Sequence, residues 1–107
     1  MLRYKYYHSG RVYGILYTFE CAGECLPEHA HDASTAHNII VLHGQLKLVF
    51  GDDDFRVISA GEVVDFDWTR RHRIIASTAA VILNLFLHGM PDGYDEIPEN
   101  ELEGVMR

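Results

Sequence analysis

Between residues 2 and 88 the chain holds no helical period for as long as ten residues. Short runs of Val, Ile, Leu, Tyr and Phe alternate instead with Gly-containing turns at intervals of roughly 8–12 residues, the rhythm of an all-β sandwich or barrel. LRYKYYH (2–8) and VYGILYTFE (12–20) read as paired strands around the turn Ser9-Gly10. In the second strand Tyr13, Ile15, Tyr17 and Phe19 share one face, and Val12, Gly14, Leu16 and Thr18 the other. Both faces are largely apolar, which argues for burial against a barrel interior on one side and a second subunit on the other. Ala22-Gly23 punctuates the chain, and Pro27 marks ECLPE as an irregular or edge segment. The long run HNIIVLHGQLKLVF has Gly44 in its middle, where it can bend. GDDD (51–54) reverses the chain into FRVIS, Ala60-Gly61 turns it into EVVDF, DWTR is a loop, and RHRIIAS and AAVILNLFLHG complete the set. Beyond Gly89, Pro91, Pro98, Gly93 and Gly104 lie among acids, so this stretch reads as a tail with one short helical turn near Glu99 to Val105. The expected division is one β-domain over residues 1–90 and an acidic tail over 91–107, because 107 residues suffice for one core and not for two.

Charge narrows the partners. The net charge is −7, and Asp92, Asp95, Glu96, Glu99, Glu101 and Glu103 against Arg107 place most of it in the tail. A nearly neutral body lacks the basic field that phosphate neutralisation requires, so nucleic acid is excluded as the expected partner. Arg70, Arg71 and Arg73 are the local exception, and alternation about His72 turns Arg71 and Arg73 away from the histidine's face. No apolar run reaches the roughly 20 residues of a membrane span, and MLRYKYYHSG has no apolar core of a secretory signal. Cys21 and Cys25 are then expected as reduced packing residues in a cytoplasmic protein.

The chemistry concentrates in the histidines. His29 and His31, two residues apart on a strand, point to one face, His37 heads the next strand, and His72 opens a later one. Inward-pointing side chains of a barrel converge from strands distant in sequence, and neutral imidazoles suit Zn, Fe, Ni, Cu and Mn while leaving positions open for a substrate. His43 shares a face with His37 but lies six residues along the strand, about 20 Å at ~3.3 Å per residue, so it cannot share that metal. His8, His43 and His88 are assigned to core or surface.

The spacing of these residues resembles the cupin superfamily. Gly23, five residues, His29-x-His31, then His37, six residues and Gly44 is similar to its first conserved motif. Gly61, five residues, Asp67, then Thr69, two residues, His72, three residues and Ala76 is similar to its second. The resemblance covers residues 12–88 and implies a double-stranded β-helix (jelly-roll) barrel, a small single-domain cupin, and a divalent metal (Mn, Fe, Ni or Zn) held by His29, His31, His37 and His72. His37 stands where the family has a glutamate, with a gap of five residues after His31 where the family usually has three or four. Asp67 and Thr69 replace a proline and a glycine, and Ala76 replaces an asparagine. Four neutral ligands leave the metal its full charge and make it a stronger Lewis acid than it is beside a carboxylate. Such cupins include dioxygenases and are commonly homodimers.

Phe19, Ile39, Val41, Phe66, Trp68, Ile74 and Phe86 are the expected pocket lining for a small, partly apolar molecule, with Trp68 at the mouth. Glu28, beside the first ligand, and Tyr17 are the candidate acid–base groups, with Gln45 a further one if it faces inward. No GxSxG context and no Gly-rich strand-to-helix turn offers nucleophilic or phosphate chemistry. Three functions follow: a metalloenzyme of dioxygenase, isomerase, cyclase or lyase type; a non-catalytic binding or sensor module; and a barrel merely braced by its histidines.

Overall fold

The structure, a computed structural model, describes residues 2–9, 12–30, 37–52, 54–86 and 103–105. Its strands, in chain order, are β1 (Arg3–Ser9), β2 (Val12–Phe19), β3 (Cys25–His29), β4 (His37–His43), β5 (Gln45–Val49), β6 (Phe55–Ser59), β7 (Val63–Val64), β8 (His72–Ala76), β9 (Ala80–Phe86) and β10 (Glu103–Val105). They form a six-stranded sheet in the order β10-β1-β2-β9-β4-β7 and a four-stranded sheet in the order β3-β8-β5-β6. The fold is all-β, a double-stranded β-helix of jelly-roll type. No helix among the described residues is long and apolar enough to cross a membrane.

Alternation builds the core between the two sheets. Ile15, Tyr17 and Phe19 of β2, Ile39 and Val41 of β4, and Ile82 and Phe86 of β9 are buried from one side. Leu26, Leu46, Leu48, Ile58 and Ile74 are buried from the other. β9 shows the period most clearly, with Ala80, Ile82, Asn84 and Phe86 buried and Val81, Leu83 and Leu85 half-exposed. Burying one of the larger aliphatic side chains contributes about 1.5–3 kcal/mol relative to leaving it in water.

The run 37–49 changes sheets at Gly44: β4 pairs with β9 and β7, whereas β5 pairs with β6 and β8. Gly44 has φ +79°, and a Cβ there would collide with the Ala79 carbonyl oxygen and come within 2.8 Å of Ala80 Cα. Only a glycine turns this corner without displacing backbone. The turn 59–62 braces it, with Ala60 N–H donating to the Gly44 carbonyl (3.0 Å) and Gly61 N–H to that of Val41 (2.9 Å). Gly23, Gly44 and Gly61, the glycines of the two motifs, are the residues with positive φ among those described.

One expectation is met and two change. ECLPE takes the edge alternative: Cys25–His29 is an edge strand on β8, with a register shift between Leu26 and His29 where Pro27 withholds its N–H. EVVDF reduces to the two residues of β7. Residues 103–105 are not part of a helical turn but a strand parallel to β1, pairing Tyr4 with Gly104, because an open sheet edge satisfies backbone groups there. His88 and residues 91–102, 106 and 107 lie outside the described residues.

Gly44→Ala and Gly61→Ala separate strain from collision. At Gly61 (φ +95°) an added Cβ meets nothing within 4 Å, so the cost is backbone strain alone, about 1–2 kcal/mol. Gly44→Ala adds the collision and is expected to lose at least about 4 kcal/mol or to leave the chain unfolded, as read by urea denaturation.

Candidate metal and ligand site

His72 is the first residue of β8, and its side chain is fully buried. The turn before it is built from a carboxylate. Asp67 Oδ1 accepts from Thr69 N–H (3.1 Å) and from Thr69 Oγ1 (2.6 Å), while Arg70 N–H donates to the Asp67 carbonyl (3.1 Å). This turn presents the Arg70 carbonyl to His72 Nδ1 at 2.7 Å. A carbonyl can only accept, so Nδ1 carries the proton and Nε2 keeps its lone pair. Metal-binding histidines are oriented in this manner.

Aromatic side chains hold the ring. Trp68 meets His72 edge-on at 5.2 Å between centroids and Phe66 does so at 5.8 Å, with Phe66 in turn packed on Phe50 at 5.1 Å. The Arg70 guanidinium lies 5.0 Å from the Phe50 ring and 5.9 Å from that of Phe66, and donates to the Phe50 carbonyl (3.3 Å). Arg70 is thus fixed at both ends, its head on the aromatic pair and its carbonyl on the histidine.

Register brings the other ligand positions near. His29 is paired directly with His72 across β3 and β8, positions whose Cα atoms lie about 4.5–5.5 Å apart in such ladders. His37 begins β4 opposite Phe86, in the facing sheet. The side chains of His29 and His37, and all of His31, lie outside what is described; among the described residues no three His, Cys, Asp or Glu side chains form a metal-holding group. Gly23 N–H donates to the Ala76 carbonyl (2.8 Å) and Ala76 N–H to that of Glu24 (2.9 Å), so the two motif segments are tied together at the opposite ends of their strands.

The remaining expected residues divide. Phe19, Ile39, Val41, Ile74 and Phe86 are buried between the sheets and Phe66 is half-buried. Trp68 is not at an open mouth: it is 7% exposed and packs on His72. Tyr17 is fully buried, its ring 6.4 Å from that of Tyr4. Glu28 is solvent-exposed and pairs with exposed Arg71 at 3.4 Å, which turns it away from the interior. Gln45 is exposed as well, reaching Ser59 Oγ at 3.4 Å. Cys21 is exposed rather than packed; its thiol donates to Glu24 Oε2 at 2.9 Å, and that hydrogen bond raises its pKa, so it is no activated nucleophile.

No protein-family model matches the sequence, and no curated protein matches it. Solved structures do. An RmlC-like cupin protein from Desulfovibrio desulfuricans superposes with TM-score 0.70 at 25% identity, covering 82% of this chain and 85% of its own. This is a small cupin-superfamily domain. The cupin_2 domain of an XRE-family transcriptional regulator from Enterobacter cloacae (TM-score 0.59, 17% identity, 75% of this chain and 84% of that one) shares the fold. So does a variant of oxalate decarboxylase from B. subtilis (TM-score 0.61, 17% identity), of which this cupin covers 22% while 76% of its own chain is matched.

The cupin's departures from its second motif have a physical reading. Asp67 and Thr69 bend the chain by hydrogen bonding where a proline and a glycine would do so by restricted and permissive φ. One interior residue escaped the sequence reading: Asn84, buried on β9. Its signal was a single amide in the alternating run AVILNLF, at an inward position.

The Thr69 hydroxyl is the main cause of a depressed Asp67 pKa, followed by the Thr69 N–H. A carboxylate so depressed stabilises the fold above its unfolded pKa, and that contribution is lost as pH falls through the folded value. Thr69→Val is expected to raise the Asp67 pKa measured by carboxyl-carbon NMR, to lower stability at neutral pH by an amount that vanishes as the carboxyl protonates in acid, and to broaden or shift the His72 ring resonances.

Proposed function

We propose that this cupin domain holds one divalent transition metal, Mn, Fe, Ni or Zn, through His29, His31, His37 and His72, and acts on a small organic substrate coordinated to it. The observation that carries this reading is His72: a buried imidazole whose Nδ1–H donates to the Arg70 carbonyl, which makes Nε2 the basic nitrogen. Bound there, such a metal would polarise a substrate oxygen as a Lewis acid or, as iron, give access to dioxygen. The chain's own residues set the conditions. Phe66 and Trp68 shield His72 from water and strengthen electrostatics around it. Tyr17 is the interior hydroxyl able to hold or pass a proton at Oη, and Glu28, on the outside, is given no part. Reactions of dioxygenase, isomerase, cyclase or lyase type fit this environment, and oxalate decarboxylase is an enzyme on the same fold.

A second reading, a binding or sensor module that captures a ligand without turning it over, is favoured by the likeness to the cupin_2 domain of a transcriptional regulator. The near-neutral body again argues that this domain itself does not contact nucleic acid. Cys21 and Cys25 as reduced thiols, each donating a hydrogen bond, fit a reducing, cytoplasmic setting.

Elemental analysis tests the metal. The purified or reconstituted protein is expected to carry about one metal per chain, and His72→Ala to carry less than about a tenth of that under the same conditions. A wild-type protein that takes up none overturns the proposal. With metal present, turnover of diketone or catechol-like compounds with oxygen consumption supports the enzyme, and ligand binding without product supports the module.

We further propose a homodimer through the outer face of the six-stranded sheet, where Leu16, Ile40, Leu83 and Leu85 adjoin exposed Val63. Sedimentation at micromolar concentration is expected to give a dimer, and Leu83→Glu a monomer of unchanged circular dichroism.

A further inference from the structure

Asn84 and His72 are the buried polar side chains among the described residues, and they stand on opposite sheets. Asn84 is 1% exposed and lies on the inner face of β9, paired with Ile15 of β2 on one side and Ile39 of β4 on the other. Ile82 and Phe86 flank it along its own strand. Among the described residues, neither Nδ2 nor Oδ1 has a hydrogen-bonding partner. A leucine has the same number of side-chain heavy atoms and the same branching with no such penalty, whereas an unsatisfied buried amide is among the costlier features a core can contain. The position therefore holds a donor and an acceptor side by side on the inner face of its sheet, with Ile15, Ile39, Ile82 and Phe86 as its neighbours there.

We propose that Asn84 is the recognition residue for a neutral ligand that offers an adjacent acceptor and donor, a primary carboxamide or its hydroxy-carbonyl equivalent, on an apolar body. The ligand's carbonyl accepts from Nδ2–H while its N–H or O–H donates to Oδ1, and both orphaned groups are satisfied at once. A neutral group suits the position: no Lys or Arg is buried among the described residues, so a charge at Asn84 itself would find no side-chain counter-ion, the proposed metal being the interior's one cation. Specificity follows from the same penalty, since a ligand with only an acceptor leaves Oδ1 unpaired. This names the substrate class for the interior site and rests on the proposed function for the place of the pocket, but the hydrogen bonds themselves need no metal.

Matched pairs of probes test it: isobutyramide against isopropyl methyl ketone, and benzamide against acetophenone, in which a methyl replaces the amide NH2. Binding is read by the Asn84 side-chain amide resonances, assigned by their absence in Asn84→Leu, in metal-stripped and metal-loaded protein. The wild type is expected to bind each amide at least tenfold more tightly than its ketone and to shift the Asn84 NH2 signals. Asn84→Leu, more heat-stable and with unchanged metal content, is expected to lose that preference. Equal binding of amide and ketone by the wild type, binding of neither, or the same preference in Asn84→Leu overturns the assignment. The wild-type comparison decides even if the variant fails to fold. Amide preference in a protein that takes up no metal would sustain Asn84 and remove the metal reading; metal uptake without amide preference would do the reverse.

Discussion

The fold depends on one backbone corner. β4 and β5 are almost continuous in sequence yet belong to opposite sheets, and the chain crosses between them at Gly44, pressed against the backbone of Ala79 and Ala80. No side chain fits at that contact, so the two sheets can face each other at this distance only with glycine there. From that crossing the rest follows: β5 pairs with β8, β8 carries His72 inward, and β4 carries Ile39 and Val41 inward from the opposite sheet. The strand that offers the buried imidazole and the strand headed by His37 are held in place by the same turn.

Around His72 the protein uses a relay of modest interactions. A carboxylate and a hydroxyl shape a turn, the turn aims a carbonyl, and the carbonyl selects a tautomer. Arg70 contributes through its two ends at once, which makes Arg70→Lys a non-conservative change, since an ammonium would not lie flat over Phe50 and Phe66. Each link is worth only about 1 kcal/mol, but together they hold one ring in one orientation.

Much of this was legible in the sequence because it depends on local chemistry. Period-two alternation located the strands, and the motif glycines coincide with positive φ since that conformation leaves few other residues. The inward placement of His72, Ile39, Val41 and Phe86 followed from the same alternation. What escaped was set by neighbours. Glu28 looked close to the chemistry in sequence, but the register shift in β3 and the attraction of Arg71 put it in solvent. Trp68 read as a rim residue because it sits in a loop, yet that loop folds over its own histidine. Asn84 was overlooked because a lone amide in an apolar strand has no motif; only the absence of a partner among the described residues distinguishes it. The strand at 103–105 arises from a vacant sheet edge, which no local pattern announces.

Trp68 is the single tryptophan of the chain, and its indole touches the ring of His72. An excited indole loses its emission to a protonated imidazole in contact with it and to many transition-metal ions nearby. The protein therefore contains its own optical reporter beside His72: the fluorescence of the unmodified molecule responds to changes in the surroundings of one buried histidine, with no label and no background from a second indole.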